Sequence, residues 1–266
     1  MTARHDPLLD PPPKEVPLPN APLVRVIAQV RYSPILSIES PDFIAPLQES
    51  LRETYPILRS EETRSLLVVR EGVTPGQRQL AWRFVDMKNE WRVSLAPTFI
   101  ALETTRYSSR GEFLDRMGSI LDALHVHVKP ADVQRIGLRY VDRIAGADLR
   151  EIPKLIRQEM QGIVDSQLFE YADREFSETL LEVAGTGDTL ALRWGHLPAA
   201  TTVDPAAIEP IDERSWILDI DMFAETQRPF APATLMEDLT RFAERIYAVF
   251  RWAVTDEFLR RFGGTP

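Results

Sequence analysis

The chain of 266 residues contains no cysteine, which excludes disulfide staples, thiol nucleophiles and thiolate-held metals. Histidine is scarce, at four residues. Two of these, His125 and His127, close a helical pattern. Side chains two apart do not share a helical face, so a role at the helix end, near the negative end of its dipole, suits them better than metal ligation. His196 follows Trp194-Gly195 at the end of a strand pattern, and no Gly-x-Ser-x-Gly nucleophile elbow occurs anywhere. Neither a P-loop nor a Gly-x-Gly-x-x-Gly is present, so nucleotide binding has no motif behind it and no cofactor is expected. No run approaches the ~20 apolar residues needed to span a bilayer. The first residues lack the apolar core of a signal peptide. These absences lead to the expectation of a cytoplasmic protein without a membrane partner.

What remains is an acidic, arginine-rich chain. Its net charge is −9, and its cations comprise 27 arginines against four lysines. Nucleic-acid binding draws most of its affinity from clustered cations that neutralise phosphates, so the overall charge weighs against it while leaving room for a local basic patch. A GC-rich genome accounts for the arginine bias more simply than selection for phosphate does. Residues 1–22 hold seven prolines and little that could pack. They predict an extended arm, laid on the body or mobile.

The rest reads as two related halves, 23–130 and 131–266. Each opens on an arginine-bearing strand, Leu23–Tyr32 and Gln134–Arg143, that ends near an Arg-Tyr pair. Each continues into a helical pattern, through Phe43, Ile44, Leu47 and Leu51 in the first half and Ile152, Leu155, Ile156 and Met160 in the second. Pro46 and Pro153 fall near the first turns, where a missing N–H costs least. Strands are predicted at Ser65–Arg70, Gln79–Val85, Trp91–Ala96 and Phe99–Tyr107, with turns at Pro75-Gly76 and Met87–Glu90. In the second half Phe176–Val183 and Leu190–Gly195 flank the hairpin signal Gly185-Thr186-Gly187-Asp188, and Trp216–Phe223 follows an irregular stretch, Pro198–Pro210. Closing helices are predicted over Gly111–Val128 and Ala233–Phe262, the latter breaking near Thr255. The pattern predicts an α+β fold in which a curved antiparallel sheet is backed by helices, and its order is similar to the duplicated saddle of TATA-binding-protein-like folds. Helix-grip and sliding-clamp-like sheets are the competing arrangements.

Strand parity supplies the candidate site. Arg135, Arg139 and Arg143 share the face opposite Ile136, Leu138, Tyr140 and Ile144, and Arg25, Gln29 and Arg31 share one face of the first strand. With Arg83, Arg92 and Arg193 as neighbours they would make a surface of guanidinium forks suited to carboxylates or phosphates. The competing reading pairs them across the sheet with Glu103, Glu178, Glu182, Asp219 and Asp221. Asp219 and Asp221 lie on one strand face and are the metal candidates, although a two-carboxylate strand without a supporting ligand is a thin signal. Trp82, Trp91, Trp194 and Trp216 serve either contact or core, and at least half are expected inside.

The segments Asn20–Val24 leading to Arg31-Tyr32, Arg135–Arg143, and Leu218–Asp221 before a final helix with Phe250 and Thr255 resemble, over nearly the whole chain, a sporadically distributed group of prokaryotic proteins of this size. That family has no assigned activity or catalytic residues to carry over. Its patchy distribution implies accessory or mobile genes, including defence systems. The reading that follows is a non-enzymatic module binding a protein or small anionic ligand through its arginine face or an exposed edge, with homodimerisation compatible with such an edge. A metal-dependent hydrolase at Asp219 and Asp221, and a nucleic-acid accessory protein, are the alternatives.

Overall fold

The computed structural model describes residues 6–69, 72–164 and 166–266. Arg70, the end of one expected strand, and the first five residues of the expected arm lie outside them. The elements run β1 (Leu23–Arg31), α1 (Pro41–Leu51), β2 (Ile57–Val69), β3 (Gly72–Val85), β4 (Trp91–Ala96), β5 (Phe99–Thr104) and α2 (Arg110–His127). There follow β6 (Asp132–Val133), β7 (Arg135–Ala145), α3 (Ile152–Leu155), β8 (Glu175–Glu182), β9 (Thr189–Leu197), β10 (Ser215–Ala224), β11 (Arg228–Pro229), α4 (Pro232–Ala253) and α5 (Asp256–Arg261). Nine strands form one antiparallel sheet, in the order β2-β3-β4-β5-β1-β7-β10-β9-β8, and β6 pairs with β11. The sheet is backed by helices, so the α+β class read from alternating strands and amphipathic helices holds.

Three local expectations need correction. Pro75-Gly76 is not a turn but part of β3, where Pro75 stands opposite Leu66 beside a register shift between Arg64 and Leu66. The ladder of β3 with β4 covers Trp82–Val85 only, so Pro75 sits where β3 has β2 alone for a partner and a missing N–H breaks no second ladder. The helix through Met160 closes after one turn: Pro153 opens it, and Ile156 turns extended and bridges to Val254. The two halves therefore differ at their first helices, 11 residues in α1 against four in α3. Pro41 occupies the helix start in α1, which moves Pro46 into the interior. Pro46 is exposed, where water can take the carbonyl it frees.

The chain divides into two compact units. In the unit of residues 27–137 and 225–239, α2 buries Phe113, Met117, Ile120, Leu121 and Leu124 at helical spacing. Ser109 caps it by accepting from the Glu112 N–H at 3.2 Å. Trp82 is inside, its Nε1 donating to the Ile38 carbonyl at 2.7 Å, and Trp91 lies beneath Arg116 at 4.3 Å.

The second unit comprises residues 1–26, 138–224 and 240–266. Its part of α4 buries Phe242, Ala243, Ile246, Val249 and Ala253, and Thr255 caps α5 by accepting from Phe258 N–H at 3.3 Å, the break read at that residue. The described part of the arm is laid on these helices. Val16 N–H donates to the Tyr247 hydroxyl at 2.7 Å, that hydroxyl donates to the Lys14 carbonyl at 3.2 Å, and Asn20 N–H reaches the Phe262 carbonyl at 3.2 Å. Gly263, at φ +87°, lets Pro19 pack against the chain's last turn.

Candidate functional site

On β7, Arg139 and Arg143 are both engaged by groups of the chain itself. Asp219 on β10 is fully buried. Its two oxygens accept from Arg139, from Nε at 2.8 Å and from Nη2 at 2.7 Å, a fork-to-fork pair. The third arm of Arg139, Nη1, donates to Asp204 at 2.6 Å. Arg193, the register partner of Asp219 on β9, reaches Asp219 at 3.4 Å through Nη1 and Glu178 on β8 at 2.6 Å through Nε. Burial opposes the charge on Arg139, but the hydrogen bonds and charges of Asp219 and Asp204 outweigh it and hold the guanidinium above its usual range. Burial would likewise raise Asp204; Arg139 and the N–H groups of Ala206 and Ala207 instead keep its carboxyl low.

Asp204 belongs to the Pro- and Ala-rich stretch 198–210, irregular as expected and folded against this face. Its neck closes with Ala200 N–H on the Ile211 carbonyl at 2.7 Å, Ala207 and Ile208 are buried, and Thr202 donates to the Ile208 carbonyl at 2.7 Å. Arg143 gives Nη2 to the Glu209 carbonyl at 2.6 Å while its buried Nε has no acceptor. Burial pulls this guanidinium below its usual range.

The other candidates lie elsewhere or are engaged otherwise. Arg135 rests across Gly137, where a Cβ would stand 2.8 Å from its Nη1, and it approaches Glu225 at 3.6 Å. Arg25 is half-buried with partners of its own, and Arg31 is exposed. Arg92 donates to Glu103 at 2.5 Å. Asp221 is half-buried opposite Ala191 and also has a partner. A cation at Asp219 would have to displace two guanidiniums. Among the described residues no cluster of three or more His, Asp or Glu is placed to hold a metal ion, and no helix is long and apolar enough to cross a membrane.

A second feature is one of the two edges of the sheet. β8 ends the nine-strand sheet. Val183 N–H donates to the Asp188 carbonyl at 2.8 Å, and antiparallel alternation from that closing pair turns the N–H and C=O groups of Glu178, Leu180 and Glu182 outward. The strand is anchored at both ends. Asp188, buried beneath the Gly185–Gly187 turn, accepts from Arg241 at 3.1 and 3.3 Å. Glu175 accepts from Ile163 N–H at 2.9 Å and packs onto Gly162, where a Cβ would lie 1.7 Å from the carboxylate. Beside Glu175 on the β9 ladder, His196 is buried with neither ring nitrogen hydrogen-bonded, its Nδ1 3.8 Å from the Glu175 carboxylate and Phe169 meeting its ring at 4.6 Å. Burial, with a contribution from Arg214, lowers its pKa to about 4. The segment that covers it exposes Ile163, Leu168 and Tyr171, and Leu180 is 64 % exposed on the strand itself.

Sequence reasoning missed Asp204 and Glu209 because nothing local marks a loop that bonds an arginine 65 residues away. It also missed Asp142, whose even number puts it on the apolar face of β7. That carboxyl is buried, and burial pushes it up to about 7. Parity alone would have found it. No protein-family model and no curated protein matches this chain.

Proposed function

We propose that the protein is a non-enzymatic interaction module whose β8 edge takes up an extended segment of a partner protein as an added strand. The observation that carries this reading is a free, anchored edge with apolar side chains standing in solvent beside it: Leu180 on the strand, and Ile163, Leu168 and Tyr171 in the segment tied to its start. Strand addition obtains affinity from main-chain hydrogen bonds and specificity from alternate side chains, and an edge fixed at both ends loses little entropy on binding.

Charge selects the partner. Glu182 is exposed on β8, as is Glu178 with one oxygen on Arg193, and the chain carries −9, so two copies paired edge to edge would set like charges together. A segment alternating basic and apolar residues complements the edge. The arginine face is a weaker docking surface in this reading because Asp219, Asp204 and Glu178 already neutralise it. The mirrored strand order on either side of β1 and β7 supports the duplicated saddle as the frame.

The test is titration with a peptide of eight residues, the length of β8, alternating lysine with valine, monitored by fluorescence anisotropy. Saturable binding that Leu180→Pro abolishes supports the proposal. Binding unaffected by that variant, or a Leu180-dependent homodimer in sedimentation, contradicts it.

A further inference from the structure

Loop 198–210 meets the arginines of β7 through two groups that do not serve them equally. Asp219 clamps two donors of Arg139 from the sheet side, which fixes the guanidinium plane and leaves Nη1 directed at the loop, where the Asp204 carboxylate receives it. Arg143 stands four residues on along the same strand face and hydrogen-bonds only a neutral acceptor, the Glu209 carbonyl; the Glu209 carboxylate acts on it through charge without a hydrogen bond, and its Nε is buried and unsatisfied. A carboxylate is a stronger acceptor for a guanidinium than a carbonyl is, and a buried donor left without an acceptor is costly. The loop thus fills the first arginine well and the second poorly.

From this we infer that Arg139 and Arg143 form a carboxylate-binding site masked by the chain's own loop, with Asp204 as a built-in stand-in for a ligand carboxylate. The ligand is a species with at least two carboxylates. One replaces Asp204 on the Nη1 of Arg139, and another gives Arg143 the anionic acceptor that the Glu209 carbonyl does not provide. The covering stretch suits exchange. Apart from Asp204 and Glu209 it is built of Pro, Ala, Thr, Val and Ile, and Ala207 and Ile208 are its only buried apolar anchors. A tethered carboxylate competes at millimolar effective concentration, so the unmodified protein responds to free carboxylate only weakly.

Calorimetric titration with citrate, and in parallel with the peptide Val-Asp-Pro-Ala-Ala-Ile-Glu-Pro copied from the loop itself, reads this out. The Asp204→Asn variant, which keeps the loop's length and shape, is expected to bind at least one of the two about tenfold more tightly than the unmodified chain, consistent with removal of a tethered competitor. Adding Arg143→Gln is expected to erase the gain, and on ligand binding the amides of Ala206–Ile208 should lose protection from hydrogen exchange. Binding of citrate assigns the site to small polycarboxylates, and binding of the peptide alone assigns it to acidic protein segments. If neither ligand binds Asp204→Asn at millimolar concentration, or if binding leaves the exchange of Ala206–Ile208 unchanged, the loop is a permanent cover and the inference falls. This outcome is independent of Leu180→Pro, which tests the β8 edge.

Discussion

At the scale of single residues, two buried titratable groups pull stability in opposite directions with pH. The folded pKa of His196 is depressed, to about 4 from 6.5. Between those values the unfolded chain binds more protons, so the stability contributed by neutral His196 is present above pH 6.5 and is lost as pH falls towards 4. Asp142 is raised from 3.8 to about 7, so its contribution is present below pH 3.8 and is lost as pH rises through 7. Asp142→Asn should therefore change stability little at pH 4 and raise it by roughly 1–3 kcal/mol at pH 8, since the variant removes the need to ionise a buried carboxyl. Urea unfolding at both pH values measures the difference. His196→Phe should flatten the acid limb of the same curves.

The Arg139–Asp219 pair belongs to this scale as well. Truncating one partner leaves a buried charge uncompensated, so Asp219→Ala should cost about 3–5 kcal/mol, whereas Arg139→Met combined with Asp219→Leu should recover most of that loss. Denaturant midpoints of the single and double variants check the prediction. Strand parity made the placement of Arg139 legible in the sequence. Its partners were half legible, because Asp219 shows the same parity while Asp204 arrives from a loop with no periodic signal.

At the scale of elements, the reading succeeded where a pattern was long and periodic. α2 and α4 carry apolar residues at helical spacing over three or more turns, and glycines at φ +87° and +73° mark the β8–β9 hairpin where Gly185 and Gly187 announced it. It failed where proline was read without its neighbours. Pro75-Gly76 looked like a turn, yet β3 tolerates proline where it has a single partner strand, and Pro153 limited a helix whose apolar spacing would otherwise have carried it to Met160. The edge was legible only in part. β8 could be read as a strand, but no sequence signal says that a strand ends its sheet. That position makes its two parities testable. Leu180→Pro removes an outward N–H and should leave stability within about 1 kcal/mol, whereas Thr179→Pro removes a ladder bond to Leu192 and should destabilise clearly more. Thermal unfolding of the pair distinguishes them.

At the scale of the molecule, the proline-rich arm is part of the structure over its described length. Its main-chain bonds to Tyr247 at 2.7 and 3.2 Å predict that Tyr247→Phe costs about 1 kcal/mol and that limited proteolysis then cleaves near Lys14–Val16 faster than in the unmodified chain. The acidic balance of the chain acts at this scale too: it disfavours edge-to-edge pairing of copies and favours basic partners, steering their approach in a salt-dependent way.

The central claim is that β8 is a docking edge, and amide hydrogen exchange resolved by residue tests it most directly. In the free protein the N–H groups of Glu178, Leu180 and Glu182 should exchange rapidly while those of Thr179 and Leu181 are protected by β9, and addition of the lysine-valine peptide should protect the first set and leave the second unchanged. If the outward amides are already protected in the free protein, or remain fast when the peptide is bound, β8 is not the site of strand addition.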